Sequence, residues 1–380
     1  MVENPHMKEI VEGNFKGLVG TPRAANGDCQ GSALLFVNDG ILNDLNEAEI
    51  IMADGTMKAT PDIPQASQIW IISFRKNDKS FAAVFAVCRR ATAVLYEAIL
   101  CRFSKIVPGL KNVKLIVSDF ERAALKAFAN VLPLARLMGC WFHFIKASSE
   151  HWKKLLEKYD LHDAPREPKY LLHSLPLLSH YHAEKGIKII SQKSSYYEKL
   201  FPDLRHWADY VNNQWGRIPE IVSVHNCCIR TNNDSEADNR QFTPRAGGKS
   251  PPVFSFIRNL QEILRDEVTN MTRMKNGLPI VKTKLMEIRF NRDMCLLVAQ
   301  KNVSKQEITL DEIYTFLKQC LPEEQSKRID EEQCISLRDN VTREMFKRAS
   351  KMELKSLSAE KDEEYGVKRK CQRRRRRTTT

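Results

Sequence analysis

The sequence lacks long apolar runs and has few cysteines. No stretch approaches the roughly 18 consecutive apolar residues of a membrane-spanning helix. Residues 1–14 carry acidic and basic side chains where a signal peptide would have an apolar segment. Ten cysteines scattered over 380 residues are too few for a disulfide scaffold. We therefore expect an intracellular protein with no membrane partner and with mostly free, buried thiols.

No single residue class dominates the composition. Apolar residues make up 42% and charged residues 28%, which is ordinary for a globular protein and excludes collagen-like, silk-like and wholly disordered chains. A chain of 380 residues has room for two to three domains of roughly 150 residues each.

Positive charge is in excess and unevenly distributed. The chain holds 60 basic and 47 acidic residues, which gives a net charge of +13. Residues 368–377 contribute eight of these positive charges, and the rest of the chain has a net charge of +5. A mildly basic body permits nucleic-acid binding without requiring it. The basic tail is similar to a nuclear localisation signal and a non-specific DNA tether, so we expect a nuclear protein; a basic tail with no receptor is the alternative. The basic residues are Lys368, Arg369, Lys370, Arg373, Arg374, Arg375, Arg376 and Arg377.

The clearest secondary-structure pattern lies between Glu49 and Phe142. Short runs rich in β-branched and aromatic residues predict five strands, and apolar residues at helical spacing predict helices over residues 91–107 and 121–132. The resulting order, β-β-β-α-β-α-β, predicts an α/β fold with one mixed sheet flanked by helices. The five runs are residues 50–53, 69–74, 81–87, 115–117 and 136–142.

The rest of the chain is divided by changes in this pattern. Helical spacing with few β signals predicts an all-α insertion, and Thr309 with Glu312 matches a capping box at the start of a later helix. The predicted division is a poorly defined segment 1–48, a first part of the core 49–143, an α-helical insertion 144–229, a last part of the core 230–275, C-terminal helices 276–322, and a charged tail 323–380 without regular structure.

Three acidic residues are candidates for catalysis, and each has a simpler interpretation. Asp54-Gly55 is a favoured hairpin turn, or a carboxylate on a sheet where glycine allows close approach. Asp119 follows an apolar run and is a helix N-cap, or a ligand-binding residue beyond the carboxyl end of a strand. Glu236 is a solvated acid in a first helical turn, or the third member of a site. Together, the three carboxylates could hold two divalent cations for phosphodiester chemistry, and Mg²⁺ prefers such oxygen ligands.

A Cys-x-x-His pair follows the last predicted strand. A zinc site needs four ligands, and Cys140 with His143 has no clean second pair elsewhere. From spacing alone, a packed cysteine beside a polar histidine is the simpler interpretation.

Four short strings occur in the order typical of one known family. They are Ile51–Lys58 (IMADGTMK), Ser118–Glu121 (SDFE), Gly139–Phe144 (GCWFHF) and Arg230–Asn233 (RTNN) followed by Glu236. In order and context they resemble Mutator-like element (MULE) transposases over roughly residues 49–264.

The resemblance implies a ribonuclease-H-like core with an α-helical insertion before the last acid. It also implies a DDE triad of Asp54, Asp119 and Glu236 that cuts and joins DNA ends at a two-metal site, using Mg²⁺ or Mn²⁺. Cys140 and His143 match the family's C-x-x-H motif, which we interpret as supporting the active site or the DNA ends, so zinc is not expected.

The resemblance also sets expectations about partners. The partners it implies are transposon ends and target DNA, with homo-oligomers on DNA by analogy. Candidate phosphate contacts, each with a solvated surface charge as the alternative, are Arg89, Arg90, Lys146, Lys153, Lys154, Arg245 and Lys249.

Two departures from the family pattern leave other functions open. Asn239 stands where the family often has a histidine, and no Cys/His-rich finger precedes Glu49, so we expect an N-terminally shortened chain. The main alternative is a domesticated, catalytically silent DNA-binding or regulatory protein. A ribonuclease-H-like nuclease that cuts without joining is another, and a simple hydrolase is disfavoured because no Gly-x-Ser-x-Gly motif is present.

Overall fold

A computed structural model describes residues 14–21, 31–77, 79–227, 229–230, 242–278, 294–301, 303 and 307–333. The chain forms two compact units, one of residues 1–164 with 168–321 and one of residues 165–167 with 322–380. The described part of the second unit includes a helix over residues 323–333, where the sequence predicted no regular structure. That helix has ion pairs between side chains four residues apart, Lys327 with Glu323 and Arg328 with Glu332, which support a helix in a charge-rich sequence.

The first unit is built on a seven-stranded sheet with helices between and after the strands. The strands are β1 (Phe15–Gly20), β2 (Ser32–Val37), β3 (Ile50–Thr56), β4 (Gln68–Lys76), β5 (Lys79–Cys88), β6 (Leu115–Ser118) and β7 (Arg136–Gly139). The helices are α1 (Leu42–Asn46), α2 (Ala93–Ile106), α3 (Arg122–Val131), α4 (Trp141–Tyr159), α5 (Glu167–Ser174), α6 (Ala183–Glu198), α7 (Arg205–Tyr210), α8 (Pro219–Val222), α9 (Val253–Lys275) and α10 (Leu310–Gln319).

The sheet has the strand order β1-β2-β5-β4-β3-β6-β7. The pairs from β1 to β3 are antiparallel, whereas β3–β6 and β6–β7 are parallel. This confirms the α/β prediction and the order β-β-β-α-β-α-β from β3 to β7. It is the mixed sheet that a ribonuclease-H-like core requires.

Two further strands lie in the weakly patterned first segment. β1 and β2 extend the sheet beyond β5, so this segment contributes to the core sheet. β1 escapes pattern analysis because Leu18 is exposed and Gly17 has a positive φ of 98° beside an irregularity in the β1–β2 pairing. β2 likewise lies within the predicted poorly defined segment 1–48.

Both faces of the central strands are covered. Ile51, Ala53 and Ile116 pack in the core that contains residues of α2 and α3. Met52 and Val117, from the same two strands, pack in a second core with residues of α4 and the helices after it. Burial on both faces explains why β3 and β6 read as nearly continuous apolar runs.

The inserted region is helical throughout. Residues 141–222 contain α4–α8 and a π-helical segment, Val211–Trp215, and none of the strands. β7 ends at Gly139, earlier than the predicted fifth run, because Trp141, Phe144 and Trp152 continue at helical spacing and bury one face of α4. The predicted capping box is confirmed, since Thr309 and Glu312 exchange hydrogen bonds at the start of α10. None of the described helices is long and apolar enough to cross a bilayer.

Candidate active site

Asp54 lies near the carboxyl end of β3, and Asp119 lies just beyond the carboxyl end of the neighbouring parallel strand β6. β3 and β6 pair in register up to Ala53 and Ser118, so Asp54 and Asp119 are the next residues on neighbouring strands. Strands in a sheet are about 4.8 Å apart. Because side chains alternate along a strand, Asp54 lies on the same face of β3 as Met52, which packs in the core with α4.

The simpler interpretations of both acids are wrong. Asp54 and Gly55 are not a hairpin turn, since both lie within β3 and pair with Ile71 and Trp70 of β4. Asp119 is not the N-cap of α3, because that position belongs to Glu121. Asp119 therefore occupies the loop beyond the carboxyl end of β6, where open α/β sheets bind ligands.

The two carboxylates have different local environments. Asp54 is buried, and its Oδ1 accepts a hydrogen bond from the Gly55 amide at 2.9 Å. Oδ1 of Asp119 accepts from the Glu121 amide at 3.3 Å and from the Ser118 hydroxyl at 3.4 Å. Burial raises the pKa of Asp119 above its ordinary value, although these hydrogen bonds and His143 act in the opposite direction.

The Cys-x-x-His pair lies at the same end of the sheet. Cys140 is the N-cap of α4, and its amide donates to the Ser118 carbonyl at 2.7 Å. The first turn of α4 then places Nε2 of His143 4.0 Å from Oδ1 of Asp54. The histidine thus lies beside the first acid, a proximity that the motif spacing alone did not predict.

His143 is held in its charged form by its surroundings. Burial would lower the pKa of the ring, but a hydrogen bond and charge interaction with Cys140, together with the charges of Asp54 and Asp119, raise it to about 9. Its Nδ1 is buried and makes no hydrogen bond to a nitrogen or oxygen atom in the described part of the chain. A positive charge therefore faces the two acids at neutral pH.

Phe120 connects the second acid to the inserted helices. Its ring centroid lies 5.0 Å from that of Trp215 in the π-helical segment and 6.2 Å from that of Phe144 in α4. Gly139 leaves room for this ring, since a Cβ there would lie 2.2 Å from the Phe120 Cζ. The residue that follows Asp119 is thus enclosed by β7, α4 and the insertion.

A buried polar cluster that the sequence did not suggest lies behind Asp119. The Tyr96 hydroxyl donates to the Glu121 carboxylate at 2.9 and 3.1 Å, and the Gln68 amide donates to the Tyr96 hydroxyl. Burial raises the pKa of Glu121, and the nearby charge of Asp119 adds to this, while hydrogen bonds from Tyr96 and Gln68 oppose it. Glu121 belonged to a recognised string, but Gln68 and Tyr96 carried no sequence signal because their contacts are long-range. Trp70 is buried against Tyr96, with ring centroids 4.4 Å apart.

The third predicted acid, Glu236, lies outside the described residues, as do Asn239 and the basic residues 368–377. The last described residue before it is Arg230, whose carbonyl accepts from the Trp141 amide at 3.0 Å. This contact places residue 230 at the start of α4, next to Cys140. The role of Glu236 stays a prediction.

The candidate phosphate contacts have unequal environments. All seven side chains belong to exposed residues. Lys153 pairs with Glu157 at 3.7 Å and Arg245 pairs with Asp266 at 2.5 Å. Lys154, by contrast, lines a groove beside α4. Lys146 lies on the same helix, one turn beyond His143.

The donor atoms at this end of the sheet suit a hard divalent cation. Asp54 and Asp119 offer carboxylate oxygens, the ligands that Mg²⁺ and Mn²⁺ prefer. Within the described ranges, no three His, Cys, Asp or Glu side chains are grouped as a metal-ligand set. The two described acids therefore fit such a cation as part of a set.

The fold and the paired acids define a class of protein, the ribonuclease-H-like α/β domains. Residues 50–147 match the family model of the MULE transposase domain, a span that includes Asp54, Asp119, Cys140 and His143. The match supports a transposase-like function in general, with DNA as the general partner and divalent metals as the cofactors that the family generally uses. No curated protein matches the sequence.

Proposed function

We propose that this chain cleaves DNA phosphodiester bonds and transfers the cut strand, as a DDE transposase does. The observation that carries the proposal is the register of β3 and β6. It brings Asp54 and Asp119 together at the carboxyl edge of the sheet, inside the segment that matches the family.

Asp54 and Asp119 would hold Mg²⁺ or Mn²⁺, with Glu236 as the third ligand. When bound, such cations activate the attacking oxygen and stabilise charge on the leaving oxygen. The reach of the chain is compatible with this role for Glu236. Glu236 comes six positions after Arg230, which lies at the start of α4, and six extended residues span up to about 20 Å.

His143 has a supporting part in this proposal. Its positive charge lies 4.0 Å from Asp54 and limits the repulsion between two neighbouring carboxylates. The ring also adds positive potential where a DNA phosphate would enter. Cys140 acts through His143, to which it is hydrogen-bonded.

The remaining parts of the proposal concern partners and location. The DNA partners would be element ends and target DNA, bound by more than one copy of the chain, as strand transfer between paired ends requires. The basic residues 368–377 would direct the protein to the nucleus.

The proposal is tested by nicking of supercoiled plasmid in Mn²⁺, which requires no knowledge of the element ends. The full chain should convert supercoiled DNA to open circles, and a chelator should stop it. Asp54→Asn, Asp119→Asn and Glu236→Gln should each lower the rate at least about a hundredfold, since each removes a charge that stabilises the transition state. Asp39→Asn removes an exposed acid that pairs with Lys16, so this matched control should nick at the wild-type rate.

Two results would count against the proposal. Equal nicking by wild type and Asp119→Asn would place the activity elsewhere. A folded wild-type chain that binds DNA without nicking it would favour the catalytically silent DNA-binding alternative. A strand-transfer assay with a pre-cut 3′ end would then separate a joining enzyme from a nuclease.

A further inference from the structure

A groove of about 570 Å³ runs between α4 and the segment formed by α7 and the π-helix. We call it the α4 groove. Its polar lining includes Arg122, His151, Lys154, Lys158, Asp209 and Asn213. Arg122 is the first residue of α3, three positions after Asp119, so one end of the groove adjoins the loop of the second acid.

The direction of α4 sets the direction of the groove. α4 starts at the acids, with His143 in its first turn, and the groove residues His151, Lys154 and Lys158 follow at successive turns. From His143 to Lys158 the helix rises about 22 Å, at 1.5 Å per residue. One strand of a DNA duplex carries about six phosphates over that length.

The charge of the groove favours a polyanion. Arg122, Lys154 and Lys158 are exposed and have no ion pair with a carboxylate in the described part of the chain, and Asp209 is the acidic residue in the lining. Burial and the charge of Lys154 lower the pKa of His151, so this ring is neutral at pH 7. The permanent charges of the lining thus sum to a positive value.

Stacked rings form a rigid wall between these cations. The His151 and Tyr210 rings are parallel, with centroids 3.7 Å apart, and Tyr159 stacks on His206 at 4.7 Å. The ammonium group of Lys158 lies 4.8 Å from the Tyr159 ring centroid, a cation–π contact that positions the tip of the side chain at the groove.

Packing contacts also connect the groove to the loop that carries Asp119. Asn213 and Gln214 line it from the π-helical segment, and Trp215 of the same segment packs against Phe120, next to Asp119. π-Helical turns within helices are frequent at functional sites.

We propose that the α4 groove binds the phosphodiester backbone of the DNA strand that leads away from Asp54 and Asp119. Arg122, Lys154 and Lys158 contact successive phosphates, and Asn213 and Gln214 supply neutral hydrogen bonds. The assignment of this strand as the one being cut rests on the proposed function. The affinity of the groove for the DNA backbone is independent of the proposed function.

The test measures binding of a fluorescent 30-base-pair duplex to the full chain by anisotropy, in chelator so that no cleavage occurs. The double variant Lys154→Ala/Lys158→Ala should weaken binding about tenfold. It should also flatten the slope of log affinity against log salt by about 1.8, or 0.9 per lost phosphate contact. The matched control Lys105→Ala/Lys188→Ala removes the same charge from exposed lysines outside the groove, so it should change the affinity less than twofold.

Either of two results would overturn the groove assignment. The groove double variant could bind as wild type does, or the control double variant could lose as much affinity and salt dependence. Unchanged thermal melting of both variants shows that neither result comes from unfolding.

The outcomes also separate this proposal from the proposed function. If DNA binding depends on Lys154 and Lys158 but the chain never nicks plasmid, the groove assignment is supported and the proposed nuclease and transferase activity is contradicted. If the wild-type chain nicks plasmid and the groove double variant binds and nicks equally well, the proposed activity is supported and the groove assignment is contradicted.

Discussion

Two buried or partly buried acids of the same domain, Asp44 and Asp119, have opposite electrostatic environments. Asp44, in α1, is buried, and each carboxylate oxygen lies 2.7 Å from a lysine ammonium group, one from Lys76 and one from Lys275. Burial alone would raise its pKa, but the hydrogen bonds and charges of Lys275 and Lys76 lower it below the ordinary value. This acid connects α1 to β4 and α9.

Asp119 shows the contrary case. No lysine or arginine pairs with it among the described residues, and burial raises its pKa. The cation near its neighbour Asp54 is a histidine at 4.0 Å. Lysines therefore neutralise the buried acid at Asp44, whereas none of the described lysines does so at Asp119. A buried acid that no lysine or arginine neutralises is typical of functional sites, where a bound ligand supplies positive charge.

The largest expected effect is a difference in stability between two matched substitutions. Asp44→Asn should lower the free energy of unfolding by about 3 kcal/mol, because a buried carboxylate loses two charge-assisted hydrogen bonds, although Lys76 keeps Glu47 as a partner. Asp119→Asn should leave stability unchanged or raise it, because it removes a poorly compensated charge. Urea unfolding of both variants at pH 7 measures the difference; equal losses would remove the distinction between the two regions.

A smaller effect is expected from crowding the Phe120 ring. Gly139→Ala places a methyl group where the ring lies and should cost about 2 kcal/mol of stability as the ring moves. Because Phe120 adjoins Asp119, plasmid nicking should fall as well. Gly20→Ala, where a Cβ would meet no atom within 4 Å, is the matched control and should leave nicking unchanged.

The charge of His143 gives a third prediction. In wild type, its ring should titrate with a pKa of about 9 in NMR spectra, and Asp54→Asn should lower that pKa by about one unit. Because the folded-state pKa exceeds the ordinary 6.5, the stability that the charged ring contributes is complete below pH 6.5 and is lost as the pH rises through 9. A pKa near 6.5 in both proteins would mean that the acids do not act on the ring.

The smallest effect on stability is expected in the Gln68–Tyr96–Glu121 cluster. Tyr96→Phe removes the hydroxyl that donates to Glu121, which should cost about 1 kcal/mol of stability and raise the pKa of Glu121 further. Tyr181→Phe removes a hydroxyl from a highly exposed side chain and should be neutral. Thermal melting of the two variants decides whether the cluster stabilises the domain.

Much of the central sheet could be predicted from local pattern. β3 to β7 have apolar runs that local rules identify, and Asp54 and Asp119 come together because each ends a run and the two strands are parallel neighbours. β1 and the Gln68–Tyr96–Glu121 cluster could not be predicted. β1 contains glycines and an exposed leucine, which interrupt the apolar pattern of a strand. The Gln68–Tyr96–Glu121 cluster joins residues up to 53 positions apart, and no local spacing predicts such contacts. The contact of Phe120 with Trp215 likewise depends on how the inserted helices fold back.

The most direct test of the central claim is calorimetric titration of Mn²⁺ into the full chain, wild type beside Asp119→Asn and Asp44→Asn. The account predicts that wild type and Asp44→Asn bind Mn²⁺ at pH 7, provided that both are folded. It predicts that Asp119→Asn does not bind, because Asp119 is one of the cation ligands. Equal binding by wild type and Asp119→Asn, or loss of binding in a folded Asp44→Asn variant, would contradict it.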